Sequence, residues 1–242
     1  MVLAAYTYVD RGGSIDRTEG RLLRGLGKTV ARQWRLPDHG IWEVRGTPAH
    51  YTHSKVMCWV ALDRLIRMHE GGHLKVPVDA FARERDAIRK DIGQRGFNAG
   101  CGAYTIAYGS QWADATLLLI SRYGYHPPDA PEMVGTHALV RRQLARGPLL
   151  YRYPPSFDDR MPPGEAPFVI TSFWQPEYLA QRGDTEAAVE LMEQLLGRAN
   201  DVGLYSEEQD PDTGAHLGNF PQAFSHAGLI AAALSLAEPG RT

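Results

Sequence analysis

Apolar side chains recur at intervals of three and four residues along most of the chain, and this periodicity constrains the fold more than any other feature. One predicted helix face steps through Leu22, Leu26, Val30 and Trp34, and a second carries Met57, Val60, Ala61, Leu65 and Met68. The same spacing predicts further helices over residues 78–93, 113–120, 131–145, 167–181, 185–199 and 222–237. Only the short run at 113–120 is also compatible with a buried strand. Strand signals are sparse, so we predict an all-α chain of roughly eight helices.

The segments between these helices are rich in Gly, Pro, Trp, Asp and Glu. They cover residues 35–53, 94–109, 123–130, 147–166 and 202–221. Binding and catalytic residues lie disproportionately on such loops, so we look for function there. Asp184 is predicted to cap the helix that starts at Thr185, because its carboxylate can accept from free N–H groups of the first turn.

The charge balance argues against nucleic acid or an anionic membrane as a partner. The 242 residues include 26 basic and 28 acidic side chains, which gives a formal net charge of −2. We therefore expect a neutral small molecule as the ligand. No apolar run is long enough to span a bilayer, and the two cysteines, Cys58 and Cys101, form no disulfide framework. These features predict a cytoplasmic protein with free thiols.

Two histidine patterns are similar to metal sites. Residues 69–73 read His-Glu-Gly-Gly-His, which fits a zinc-protease pattern that needs both histidines on one helix face. The glycine pair falls where the preceding helix is expected to end, so we interpret the motif as a helix terminus with solvated histidines. His50 and His53 lack companion cysteines at ligand spacing. The sequence therefore predicts neither a metal nor a cofactor.

Two loops place carboxylates beside groups suited to catalysis. Glu43 stands between Trp42 and an arginine, and an apolar, aromatic surround favours the protonated carboxyl that a general acid needs. Glu207 and Glu208 lie on the loop before the last helix, where adjacent acids can supply a general base and a substrate ligand. From the residues alone, a solvated acidic loop is the commoner interpretation.

Several longer runs carry a resemblance to a known family. They read GIWEVRG and HYTHSKVMCWVALDR within residues 40–64, ADATLLLISRYGYHPPD at 113–129, LLYRY at 149–153, PGEAPFVITSFW at 163–174 and ANDVGLYSEEQDPDTGAHLGNFPQAFSHAGLI at 199–230. In this order they closely resemble glycoside hydrolase family 15, which includes glucoamylases, glucodextranases and bacterial and archaeal trehalases. The likeness spans nearly the whole chain, and long ordered matches are more specific than a single short motif.

The resemblance implies both a fold and a reaction. Family members form an (α/α)6 toroid, so the expected structure is a partial toroid that lacks its first helices. Residues 1–242 would be the C-terminal portion of the catalytic domain. The implied reaction is hydrolysis of α-glucosidic bonds in trehalose or maltooligosaccharides. Trehalose is slightly favoured, because the IWEVRG and SEEQDP motifs resemble those of the bacterial branch of the family, in which trehalases occur.

Site residues follow from matching motif positions. Glu43 matches the general acid and Glu207 the general base of an inverting mechanism, which needs the two carboxyl groups ~6.5–9.5 Å apart. The implied substrate-binding residues are Trp42, Arg152, Glu208, Lys55 and Trp59. Asp114, Glu165 and His226 also lie inside matching motifs. For Asp114 a buried capping acid, and for Trp59 a core position, are equally good interpretations.

The N-terminal part of the family's toroid, with its substrate-gripping loop, has no counterpart in this chain. A toroid without those helices exposes apolar faces that a partner would cover. We therefore expect self-association or a complementing N-terminal chain, and little hydrolysis by this chain alone. The alternatives are an inactive relic and a sugar-binding half-domain that keeps part of a subsite.

Overall fold

The computed structural model describes residues 1–157 and 165–237 and is predominantly helical over them. Its α-helices are α1 (Val2–Asp10), α2 (Arg17–Gln33), α3 (Thr52–Glu70), α4 (Val78–Asp91), α5 (Leu119–Arg122), α6 (Pro131–Leu144), α7 (Val169–Arg182), α8 (Thr185–Leu196) and α9 (Ala223–Ala237). A π-helical turn, Ile92–Gly96, follows α4, and a 3-10 turn, Ala115–Leu118, precedes α5. The all-α prediction is confirmed, and the apolar run at 113–120 forms helical turns instead of a strand.

The described strands are two-residue segments paired in antiparallel hairpins. They are β1 (Phe97–Asn98) with β2 (Ala103–Tyr104), β3 (Ala145–Arg146) with β4 (Leu149–Leu150), and β5 (Glu208–Gln209) with β6 (His216–Leu217). They lie between helices, and all but β3 fall within segments predicted to be loops; β3 begins at Ala145, the last residue of the helix predicted over 131–145.

The chain divides into two compact units, one formed by residues 1–43 and 47–96 and the other by residues 44–46 and 97 onward. In the first unit, α3 packs against α1, α2 and α4, and its Val56, Leu62 and Leu65 are completely buried. In the second unit, α7 packs against both α8 and α9. In the first unit α3 is therefore the central helix, and in the second unit α7 packs between α8 and α9.

The buried face of α2 differs from the predicted one. Leu22, which opens the predicted face, is 53% exposed, whereas Leu23 is buried. The contact is made through Gly27, because a Cβ atom there would lie 2.5 Å from Leu65 Cδ1 and 2.6 Å from Phe81 Cε2. The apolar pattern misassigned the face because a glycine, which adds no apolar side chain to the pattern, marks the place where α2 approaches α3 and α4.

The turn between α7 and α8 follows its sequence closely. Gly183 ends α7 in the left-handed conformation, at φ 87°, which costs a glycine little. Asp184 directly precedes α8 as predicted, but its carboxylate makes no capping hydrogen bond. It forms an ion pair with Arg182 instead. With so short a connection, α7 and α8 form an αα-hairpin.

Among the residues that the structure describes, no helix has the length and apolar character needed to cross a membrane.

Because His53 is buried in α3, we predict that it lowers the free energy of unfolding at acid pH. Burial lowers the pKa of His53 from 6.5 to about 4, and nearby Asp38 only partly opposes this. Above pH 6.5 the histidine is neutral in both folded and unfolded chains, so it has no effect. As the pH falls from 6.5 towards 4, His53 gains a proton in the unfolded chain but not in the folded chain. The free energy of unfolding therefore falls by about 3 kcal/mol.

We therefore expect His53→Gln to lose less unfolding free energy between pH 7 and pH 4 than the parent chain, as measured by urea denaturation. His73→Gln, at an exposed position, is the matched control and should keep the parent's pH dependence. An unchanged pH dependence in His53→Gln would show that His53 is protonated in the folded chain.

Candidate active site

Short backbone pairings in the second unit bring the predicted site segments together. Phe168 forms antiparallel bridges with Leu150 on one side and with Glu208 on the other. The N–H of Val169 donates to the carbonyl of Glu207 at 3.0 Å. The end of β4, the start of α7 and strand β5 therefore lie side by side. The charged residues that flank these pairings are Arg152, Glu165, Glu207 and Glu208.

Arg152 and Glu165 form a bidentate ion pair. Arg152 Nη2 donates to Glu165 Oε2 at 2.8 Å, and Arg152 Nε donates to Glu165 Oε1. The guanidinium also lies 4.9 Å from the ring centres of Tyr153 and Phe168, a distance at which cation–π attraction acts. The arginine is thus held in one orientation, and its charge is shared with a carboxylate before any ligand arrives.

Only one of the two carboxylate oxygens of Glu207 accepts hydrogen bonds from described residues. Its Oε2 accepts hydrogen bonds from the backbone N–H of Asn219 at 3.1 Å and from Asn219 Nδ2 at 2.7 Å. Its Oε1 has no hydrogen-bond partner among the described residues. Glu207 is half-buried, so this oxygen is a suitable acceptor for a proton from water.

Glu208, the next residue, has a different environment. Its Oε2 accepts from the backbone N–H of Ala166 at 3.3 Å. Burial raises the pKa of Glu208, and the carboxylates of Glu165 and Glu207 raise it further, against the lowering effects of the Ala166 N–H and Arg152. The Glu208 carboxylate is thus turned towards Ala166, whereas Glu207 keeps one oxygen without a partner among the described residues. On this geometry Glu207 is the better placed of the two neighbours to act as a base.

Glu43 lies in the first unit, on a loop that starts at Asp38. The Asp38 carboxylate fixes the loop, because Oδ1 accepts from Gly40 N and from Ser54 Oγ, both at 2.7 Å. Glu43 is exposed and has a positive φ of 52°, the only such non-glycine residue in the described ranges. A left-handed backbone costs a residue with a side chain about 1–2 kcal/mol. Trp42 beside it is half-buried.

Lys55 and Trp59, predicted as substrate ligands, are buried in α3. Lys55 Nζ donates to the carbonyls of Trp34 at 2.7 Å and Leu36 at 2.5 Å. Trp59 is 4% exposed and lies under the guanidinium of Arg89, 5.6 Å from its ring centre. Within the first unit, these contacts give both side chains structural roles, and their contact with substrate stays a prediction.

Two other residues from the matching motifs have local structural roles. Asp114 is buried and caps the 3-10 turn, where its Oδ1 accepts from the backbone N–H and the hydroxyl of Thr116, both at 2.7 Å. His226 accepts from Tyr205 N at 3.4 Å through Nε2, and its Nδ1 lies 2.7 Å from Gln222 O. The histidine therefore links the start of α9 to the loop that carries Glu207.

The histidine motif at residues 69–73 straddles a helix end. Helix α3 ends at Glu70, and Gly72 has a positive φ of 78°, so the two histidines do not share one helix face. In the described part of the chain, no three His, Cys, Asp or Glu side chains are arranged to hold a metal ion.

Sequence reasoning missed Gly218 and Asn219. Both belong to the LGNF run that continues β6, and that run is identified from the sequence only as part of a longer matching segment. A Gly-Asn pair after a hairpin strand is a turn signal. Nothing in the local sequence indicates that this turn donates hydrogen bonds to the Glu207 carboxylate across the hairpin.

Comparison with known proteins connects this arrangement to characterised hydrolases. Residues 1–234 match the family described as Glycosyl hydrolases family 15. The chain is 42% identical to a trehalase of Mycobacterium tuberculosis over 82% of this chain and 29% of that protein. It is 34% identical to a trehalase of Thermoplasma volcanium over 98% of this chain and 38% of that protein. The chain thus spans less than half the length of these relatives.

Solved structures support the fold. A wild-type glycosidase matches with a TM-score of 0.73 at 19% identity, covering 86% of this chain and 57% of its own. A bacterial glucoamylase complexed with acarbose matches with a TM-score of 0.70 at 17% identity, covering 90% of this chain and 38% of its own. At these identities the likeness establishes the fold alone. The predicted partial (α/α)6 toroid is confirmed.

Proposed function

The chain belongs to glycosyl hydrolase family 15, and on that premise we propose that it carries the catalytic glutamates of an inverting α-glucosidase. Glu43 is the general acid and Glu207 the general base. The observation that carries the proposal is the state of Glu207, whose Oε2 is held by Asn219 while Oε1 has no partner among the described residues. A base that activates water needs one fixed and one available oxygen.

The proposed reaction uses the two carboxyl groups on opposite faces of the sugar. The Glu43 carboxyl gives its proton to the glycosidic oxygen as the bond to the anomeric carbon breaks. Glu207 Oε1 takes a proton from water, which attacks the anomeric carbon from the other side, so the configuration inverts. The water fits only if the carboxyl groups are ~6.5–9.5 Å apart, and we expect this separation in the complete toroid.

Trehalose is the proposed substrate, with maltooligosaccharides as the alternative. The proposal is supported by curated relatives that are trehalases, at 42% and 34% identity. We expect the completed enzyme to release one β-glucose and one α-glucose from each trehalose, since only the attacked anomeric carbon inverts, and to leave maltotriose intact, as followed by NMR of the anomeric protons. The reverse preference would favour a glucoamylase, and initial release of α-glucose alone, with no β-glucose, would contradict inversion.

The proposed partner is the N-terminal part of the toroid, supplied by another chain or by fusion. The last helix, α9, supports this because Phe224, Ile230 and Leu234 are 68%, 58% and 59% exposed. Ile230 and Leu234 are one helical turn apart and share a face, and contiguous exposed apolar surface marks an interface when it is large enough. We propose that toroid helices absent from this chain cover this surface, and self-association is the competing occupant.

A further inference from the structure

We infer that Asn219 is the positioning residue that holds Glu207 as a base, and that Gly218 provides the space in which it does so. The inference rests on the proposed function, since it names the device that prepares Glu207 for its role. It also concerns residues that the catalytic motifs do not single out, because they lie on the strand opposite the glutamates.

The hairpin register places the two residues where they can act. Glu208 is paired with Leu217, so one step further along the antiparallel pair Glu207 faces Gly218. The N–H of Glu207 donates to the carbonyl of Asn219 at 2.9 Å. Asn219 in turn donates twice to Glu207 Oε2, through its backbone N–H and its side-chain amide. Three hydrogen bonds therefore connect the backbone and side chain of Glu207 to one residue.

Gly218 makes this close approach feasible. It has a positive φ of 71°, and a Cβ atom at this position would lie 2.9 Å from Glu207 Oε2 and 3.1 Å from Glu207 Cβ. Any other residue would push the carboxylate away from the Asn219 amide and would strain its own backbone. The glycine thus allows the carboxylate to fold back over the hairpin.

The hydrogen bonds also distinguish the two carboxylate oxygens. Both donors bind Oε2, so they fix the side-chain rotamer, while Oε1 is left for water. The carboxylate of Glu208 has no such pair of donors, since the one hydrogen bond it accepts among the described residues comes from Ala166 N. Asn219 therefore accounts for why Glu207, and not its neighbour, is prepared as the base.

The first test uses the isolated chain and needs no activity. In carbon-13 NMR at one neutral pH, the carboxyl signal of Glu207 is identified by its loss in Glu207→Gln, and its chemical shift reports the hydrogen bonds that the carboxylate accepts. We expect this signal to move in Asn219→Ala, which removes one of the two donors to Oε2. The signal should move further in the isosteric Asn219→Asp, which replaces the donor amide with a carboxylate. Gln194→Ala, which removes an exposed amide on α8, should leave it unchanged.

The second test measures turnover in the completed enzyme. Asn219→Ala should lower kcat about tenfold to a hundredfold with little change in KM, because a charge-assisted hydrogen bond is lost at the base and not at a substrate subsite. A merely structural role would instead lower thermal stability and would not separate kcat from KM in this way.

The outcomes separate this inference from the proposed function. If Glu207→Gln keeps its activity, the proposed function fails and the inference fails with it. If Glu207→Gln is inactive but Asn219→Ala and Asn219→Asp keep the parent's Glu207 carboxyl signal and kcat, only the inference is overturned. A displaced carboxyl signal together with a lowered kcat supports both.

Discussion

Replacing Glu207 with glutamine should reduce glucose release by the completed enzyme about 10²–10⁴-fold, the usual contribution of a general acid or base. Glutamine has nearly the same shape as glutamate but cannot take a proton from water. Because Glu207 is half-buried on a loop and forms no ion pair among the described residues, the thermal unfolding midpoint should change little. The measurements are initial rates on trehalose and circular dichroism melting of each variant.

Two control variants make this result specific. Glu193→Gln changes the same chemical group at an exposed position of α8 and should keep full activity. Glu208→Gln should lose less activity than Glu207→Gln, since Glu208 is the proposed substrate ligand and its Oε2 already accepts from the Ala166 N–H. If Glu208→Gln were the inactive variant and Glu207→Gln the active one, the base would be Glu208.

Supplying the helices that the chain lacks should raise its hydrolytic rate by about a hundredfold or more, because a small misplacement of catalytic groups already has an effect of that size. The isolated chain spans 29% of the length of one trehalase and 38% of another. Much of a complete substrate pocket is therefore expected to lie in the remainder. The experiment compares glucose release by the chain alone, by the chain mixed with an N-terminal portion from a trehalase relative, and by a fusion of the two.

The α9 surface provides the control for complementation. The double variant Ile230→Glu and Leu234→Glu should weaken the gain from a separate N-terminal portion, because charges would have to be buried at the interface. Val202→Glu, at a 69% exposed loop position, should not. Robust turnover by the isolated chain, shown to be monomeric, would contradict the need for a partner. No turnover even in the fusion would favour an inactive relic.

The sequence predicted the helices well because their periodicity reports burial of one face. It failed where backbone contacts decide the structure. Gly27 carries no side chain to enter an apolar pattern, yet it sets the contact of α2 with Leu65 and Phe81. Asp184 was placed correctly at the start of α8, but Arg182 competes for its carboxylate, and that competition cannot be read from capping preferences alone.

The candidate site was predictable only in part, because contacts between residues distant in sequence determine it. Glu207 and Glu208 are distinguished by motif position, and the physical difference between them comes from partners distant in sequence. Ala166 and Asn219 donate to one or the other. Such pairings depend on hairpin register and on the bridges of Phe168 with its neighbours. Local sequence patterns carry no information about them.

The left-handed backbone of Glu43 has a consequence for how such an enzyme can be improved. At φ 52°, glycine or asparagine would fit the loop at lower conformational cost. Selection for thermal stability alone would therefore favour replacement of Glu43, the proposed acid. The selected variants would be more stable but would lack the proton donor. With the role proposed for Glu43, stability and turnover compete at this single position, so variants have to be ranked by both measurements together.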